Sequence, residues 1–262
     1  MPKVLSPAQI NQYERDGILF PIPVLSTDEV LMFRSGFEEL AAHFSGPPKP
    51  TRLPHLHFRW AYDLATHPAI LDVIEDVLGT DILVFSTMVF YKPPRDLSYI
   101  SWHQDGLYPR MRTHQLTSAW IALNASTVEN GCMRVVPASH QYILPHTEYR
   151  EKNNLLESGQ EVVLDIDEAT VKDVVLNPGE MSLHHVNIIH GSNPNRSDTM
   201  RIGFIIRFIP PQVKLDFDCP VILARGRDDY HHFELMKAPP SGSIEEGMAA
   251  QADFEHQLSR KQ

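Results

Sequence analysis

Met181-Ser182-Leu183-His184-His185-Val186-Asn187-Ile188-Ile189-His190 leads through the connection Gly191–Met200 into Arg201-Ile202-Gly203-Phe204-Ile205-Ile206-Arg207-Phe208-Ile209. Both runs are rich in valine, isoleucine and phenylalanine, and side chains on a strand alternate between the two faces of its sheet. On the second run Ile202, Phe204, Ile206 and Phe208 share one face, which is wholly apolar. Arg201, Gly203, Ile205 and Arg207 share the other. An arginine on an inward face needs a buried anion. If the two runs pair as an antiparallel hairpin up to their connection, His190 stands opposite Arg201, with Cβ atoms about 5 Å apart.

Working outward, the same grammar fills the middle of the chain. Ile82–Tyr91, Thr117–Asn124, Met133–Val136, Glu161–Ile166 and Asp173–Leu176 read as further short strands. Asn130-Gly131, Pro178-Gly179 and Asn193-Pro194-Asn195 supply turn signals. Short strands without intervening helices predict an antiparallel sandwich or barrel. The N-terminal third reads as helical. Ser6-Pro7 opens a helix toward Asp16-Gly17, and Ser26 with Glu29 forms a capping box ahead of Val30, Leu31, Phe33, Phe37 and Leu40. A loop is expected at Gly46–Pro50, and a third helix spans His67–Leu78, ended by Gly79. The expectation is one domain over residues 1–262: a helical part to about 80, a β core from about 81 to 211 and a peripheral segment from about 212 onward.

The composition is that of an ordinary globular protein, 42% hydrophobic and 21% charged. A formal charge of −10 argues against nucleic acid or an anionic membrane surface as partner. Cys132 and Cys219 are too few for a disulfide framework, and no leader or membrane span is read. A cytoplasmic protein acting on a small molecule is the expectation.

The 14 histidines stand out. His-x-carboxylate places both groups on one face of a strand, good geometry for chelation. It occurs at His103/Asp105, His146/Glu148 and His232/Glu234, while composition alone gives about two such pairs. Spacing therefore does not choose among them, and His55-x-His57, His184-His185 and His231-His232 are further candidates. The inward arginines break the tie in favour of one chemistry. Two histidines and a carboxylate on one side of a metal, with an arginine for the far carboxylate of a keto acid, is the facial arrangement of non-haem Fe(II) oxygenases.

At this point the sequence resembles the phytanoyl-CoA dioxygenase family of Fe(II)/2-oxoglutarate enzymes over roughly Asp81–Pro211. The signposts are Trp102-His103-Gln104-Asp105, Ala119-Trp120, Asn130-Gly131-Cys132, Val136-Pro137-Ala138-Ser139-His140, Pro178-Gly179-Glu180, and His190-Gly191-Ser192 followed by Arg201. The resemblance implies a mainly β fold, a double-stranded β-helix (jelly-roll, cupin-like) core with N-terminal and flanking helices. It implies His103, Asp105 and His190 as iron ligands, with Fe(II), 2-oxoglutarate and O2 as the reaction's partners. Arg201 would clamp the distal carboxylate of 2-oxoglutarate beside Ser192, with Met88, Gln104 and Trp120 lining that pocket. Arg52, His55 and His57 are alternatives for a further basic contact. Asp105 stands where halogenating relatives have alanine, so oxygenation is implied.

For substrate contacts the candidates are Arg207, Tyr108, Trp102 and Arg59, with Trp60, Tyr91 and Tyr99 as other aromatic walls and Arg110, Arg112 and Arg134 as anion contacts. Arg207 either pairs with a buried acid or touches substrate. Gln104 should point away from His103 if the strand runs undistorted, and His140 reads as structural. The implied activity is hydroxylation of an unactivated C–H bond in a small polar metabolite or natural-product intermediate, such as an organophosphonate or an alkaloid toxin precursor. The rival reading is a non-oxidative or non-catalytic cupin-like metal-binding barrel. A zinc hydrolase using His184 or His185 is a distant third, since neighbours on a strand face opposite ways.

Overall fold

The computed structural model describes residues 2–45, 50–107, 115–156, 159–215 and 217–259. Their elements are α1 (Pro7–Asp16), β1 (Ile18–Pro23), α2 (Thr27–Ala41), β2 (Thr51–Arg52), α3 (Arg59–Ala65), α4 (Pro68–Leu78), β3 (Ile82–Lys92), β4 (Ile100–His103), β5 (Thr117–Ala122), β6 (Met133–Val136), β7 (His146–Glu148), β8 (Gln160–Val162), β9 (Lys172–Val174), β10 (Glu180–His185), β11 (Ile189–Ser192), β12 (Arg201–Ile209), β13 (Pro220–Arg225), β14 (Glu234–Leu235) and α5 (Ile244–Ser259). None of these helices is long and apolar enough to cross a membrane.

The capping signals act where they stand in the sequence. Ser6 and Ser26 each accept from the backbone N–H three residues on, while Gln9 and Glu29 reach back to the cap, so two donors of each first turn are satisfied reciprocally. Gly17 closes α1 in the left-handed conformation. Val30, Phe33, Phe37 and Leu40 are the buried stripe of α2. Leu31, expected on that stripe, is exposed instead, because one residue beyond Val30 is about 100° round the helix.

Eight strands make the larger sheet, in the order β1-β10-β5-β12-β3-β13-β14 with β2 added on β3. β4, β11, β6 and β9 form a second sheet, and β7 pairs with β8. This is the jelly roll, its larger sheet faced by helices on one side and by the cavity and the smaller sheet on the other. β12 shows the division residue by residue. Ile202, Phe204, Ile206 and Phe208 pack with Phe33, Phe37, Leu64 and Ile74 of the helices. Ile205 packs with Trp120, Met133 and Val135 between the sheets. Each fully buried aliphatic or aromatic side chain contributes roughly 1.5–3 kcal/mol of transfer free energy, so this outer face is a principal source of stability.

Four expectations are corrected. The run at 181–190 is not one strand: β10 lies in the larger sheet and β11 in the smaller, and the chain turns between them where Ile188 N–H bonds His185 O at 3.0 Å. Accordingly β12 pairs with β3 and β5, not with β11. The helical N-terminal part also holds β1 and β2, with Pro21 and Pro23 tolerated because β1 is an edge strand. The tail carries α5, whose Ile244 is buried in the same core as the helices. The loop expected at Gly46–Pro50 lies, but for Pro50, outside the described residues.

Candidate metal centre

β4 ends on His103, a short 3-10 turn begins at Asp105, and β11 lies antiparallel to β4 with His190 directly opposite His103. Residues far apart in sequence become cross-strand neighbours, with ring centroids 4.1 Å apart. One donor atom from each of His103, Asp105 and His190 lies within 4.8 Å of the others, and all three residues are buried. His103 Nδ1 is 2.9 Å from Ser101 O, and His190 Nδ1 is 3.0 Å from Ile188 O. Those carbonyls can only accept, so each Nδ1 carries the proton and each Nε2 keeps its lone pair for an ion.

Asp105 is held from the far side. Arg207 Nε and Nη2 donate to its Oδ2 at 3.0 and 2.8 Å. Burial alone would raise the Asp105 carboxyl, but Arg207 and the two histidines outweigh it and hold it well below the usual carboxylate range. Burial first, then His103, pushes the His190 imidazole well below its ordinary value. The set is thus a carboxylate and two imidazoles, a donor set suited to a divalent transition metal.

A second polar group stands at the other end of the cavity. Arg201 opens β12, paired with Lys92 at the end of β3, and is 1% exposed. Its Nη1 donates to Gly131 O at 2.8 Å. That carbonyl is delivered by a glycine at φ +74°, where a Cβ would stand 2.2 Å from Asn193 O. Among the described residues Arg201 Nε and Nη2 are buried without a hydrogen-bond partner. The guanidinium lies 5.5 Å from the Trp120 ring centre, and Trp120 covers Gly203 so closely that a Cβ there would be 2.0 Å from the indole. Burial lowers the Arg201 pKa to about 10. A buried guanidinium with two idle donors is costly unless an anion completes it.

His103, Asp105, His190, Ser192, Arg201, Trp120, Met88 and Arg207 all line one cavity of about 270 Å³. The other sequence candidates lie elsewhere. Gln104 turns behind the metal loop, where its amide donates to Tyr142 O and Asn187 O at 2.7 and 2.5 Å and accepts from Leu144 N–H; strand alternation prevails over the implied pocket contact. Trp102 also lies off the cavity, under the Arg134 guanidinium at 5.4 Å, and Arg134 is bound to Glu168 and Asp173. Arg59 faces solvent on α3, paired with Asp63 at 2.7 Å one helical turn on. Tyr108, Arg110 and Arg112 lie outside the described residues. Trp60 packs on Phe204, and Tyr91 on Phe37.

Of the three alternatives for a further basic contact, Arg52 lines the cavity beside Met88, while His55 bonds Thr87 Oγ1 at 2.8 Å and His57 packs on Phe254. Arg207 pairs with the buried acid and also lines the cavity. His190 and Arg201 do not face each other across a hairpin; they reach the cavity from different sheets. Two residues near the site, Lys92 and Arg150, escaped the sequence reading, and a third was set aside by it. Lys92 shares the inward parity of Met88 and Phe90, which is the signal that would have found it. His184, offered by the sequence only in the doublet and as a rival zinc ligand, is buried with its ring centre 5.2 Å from that of His190, and its Nδ1 has no partner among the described residues. Arg150 lies in a loop with no periodicity.

A family model described as Phytanoyl-CoA dioxygenase (PhyH) matches residues 13–203. The chain is 30% identical over 148 residues to a probable phytanoyl-CoA dioxygenase of Caenorhabditis elegans, covering 53% of this chain and 47% of the relative. It is 32% identical over 159 residues to a probable alpha-ketoglutarate-dependent hypophosphite dioxygenase of Stutzerimonas stutzeri, covering 58% and 54%. The chain thus spans about half the length of these curated relatives. Among solved structures it is similar to the non-heme monooxygenase ThoJ in its apo form, with TM-score 0.80, 32% identity, and coverage of 96% of this chain and 95% of that one.

Proposed function

The chain belongs to the phytanoyl-CoA dioxygenase family, and from that premise we propose that it is an Fe(II)- and 2-oxoglutarate-dependent dioxygenase hydroxylating an unactivated C–H bond of a small polar metabolite. The observation that carries this reading is one cavity with two ends: a buried His-Asp-His donor set, and a buried arginine with two unmet donors. His103, Asp105 and His190 would hold iron. Arg201, with Ser192, would bind the distal carboxylate of 2-oxoglutarate. Iron with 2-oxoglutarate and O2 supplies the oxidant that places one oxygen atom in a C–H bond, with release of succinate and CO2.

The chain's own residues do the positioning. Arg207 fixes the rotamer of Asp105 by gripping its outer oxygen. Trp120, Met88, Phe90 and Ile205 wall the cavity with apolar surface and keep water out. The rival, a metal-binding barrel without 2-oxoglutarate, leaves the idle donors of Arg201 unexplained. Retention of Asp105 speaks for oxygenation over halogenation.

The cavity volume suits a small substrate. At the exposed rim stand Arg52 and Arg150, and among the described lining residues Asp105 is the one acid, already gripped by Arg207. In a chain of net charge −10 the exposed Arg150 on this lining favours a substrate with an anionic group, so an organophosphonate over an alkaloid precursor. Residues 1–262 are read as one dioxygenase domain, since Leu5 and Ile244 share one core with the larger sheet. Two free cysteines accord with a cytoplasmic setting. Anaerobic addition of Fe(II) and 2-oxoglutarate should produce the weak visible absorption of the chelate, and phosphonates should be oxidised in a mass-spectrometric screen. Absence of the absorption would sink the 2-oxoglutarate reading.

A further inference from the structure

Lys92 is 0% exposed, and among the described residues no carboxylate pairs with it. Its cross-strand neighbour is another buried cation, Arg201. Nζ donates to Ser192 Oγ at 2.7 Å and to Asn193 O at 2.5 Å. Burying two cations side by side is unfavourable unless something negative comes between or beside them. Ser192 lines the cavity, whereas Lys92 stands behind it.

The chemistry of the hydroxyl makes this placement directional. A serine has one proton to give and lone pairs to receive, and an ammonium group has only donors. Ser192 cannot donate back to a protonated Lys92, so its own proton is released for the cavity side. We infer that Lys92 is a positioning residue for the anionic co-substrate: by donating to Ser192 Oγ from behind, it aims the serine hydroxyl at the carboxylate that Arg201 binds and adds a second positive charge there. This rests on the 2-oxoglutarate reading above.

A neutral amine, by contrast, has a lone pair that can take the serine proton, and the aim is lost. The groups acting on Lys92 are Arg201, which disfavours its charge, and Asp96 and Cys132, which favour it; burial dominates and lowers it to about 6. A bound dianion favours the ammonium form. Above about pH 6, binding of 2-oxoglutarate therefore takes up a proton, and affinity falls as pH rises until the raised pKa of the complex is passed.

The test is anaerobic titration of the Fe(II)-loaded protein with 2-oxoglutarate, followed by visible absorption across that pH range. The variants are Lys92→Met, Lys92→Gln, Ser192→Ala and the Lys92→Met/Ser192→Ala double variant. Lys92→Met should weaken binding by about tenfold or more and flatten the pH dependence. In turnover, KM for 2-oxoglutarate should rise by more than kcat falls. Lys92→Gln, which still donates to Ser192, should recover part of the affinity but not the pH slope. The double variant should lose less affinity than the two single losses combined, because part of the Lys92 effect passes through the Ser192 hydroxyl. Should a Lys92 variant fail to fold, Ser192→Ala alone carries the test: its pH slope should be shallower than that of the unsubstituted protein.

If the unsubstituted protein forms the chelate but Lys92→Met binds with the same affinity and slope, changing only its melting temperature, Lys92 is structural and the inference is overturned while the dioxygenase reading stands. If the unsubstituted protein forms no chelate, the reading itself falls and takes the inference with it.

Discussion

Strand β12 turns Ile202, Phe204, Ile206 and Phe208 toward the helices, and Arg201, Gly203, Ile205 and Arg207 toward the cavity. The first face is dry, closely packed and satisfied by contact alone. The second is half polar and holds its arginines at the cost of burying them, one gripping Asp105 and one with idle donors. One strand thus separates stability from chemistry by alternation, and a substitution on either face should report on one property more than the other.

The largest effect expected on the cavity side comes from Asp105→Ala. It should lower turnover about a thousandfold or more, since it removes the proposed metal ligand and the carboxylate that Arg207 grips. Circular dichroism should show the fold retained. Near-normal turnover with 2-oxoglutarate would break the assignment of chemistry to this face.

On the helix side, Phe204→Ala should cost about 3–5 kcal/mol in denaturant unfolding, because the ring is fully buried against Trp60. The folded fraction should keep its kcat within about twofold. A kinetic collapse at full folding would mean the two faces are coupled.

Gly203→Ala sits between these extremes. A methyl group at residue 203 cannot coexist with the present Trp120 ring, which must move off Arg201. KM for 2-oxoglutarate should rise about tenfold, while stability falls by about 1–3 kcal/mol. Unchanged KM would show that Trp120 only fills space.

The finest test is a matched pair. Ile206→Val should lower stability by about 1 kcal/mol and leave kinetics alone, while Ile205→Val, one residue away, should alter KM for substrate more than it alters stability. Equal effects from both would erase the distinction.

Much of this was legible because it is local. The caps of α1 and α2, the stop of α4 at Gly79 and the two faces of β12 follow from side-chain chemistry and a period of two or 3.6 residues. The turn between β10 and β11 was not legible: Val186 and Ile188 are apolar and fully buried, so the pattern runs on through the break. Gln104, Trp102 and Arg59 were misplaced because hydrogen bonds to Tyr142 and Asn187, a cation over a ring, and a pair with Asp63 decide where they point.

By itself the sequence determined which side chains are able to chelate, which can clamp an anion and which strands bear them, since these are properties of single residues and their nearest neighbours. Only the tertiary structure decided that His190 lies against His103 and that Arg201 lies against Lys92, because sheet pairing is set by packing between segments distant along the chain. It also chose His103/Asp105 over the other two His-x-carboxylate pairs: among the described residues, only that pair is closed by a third donor from another strand.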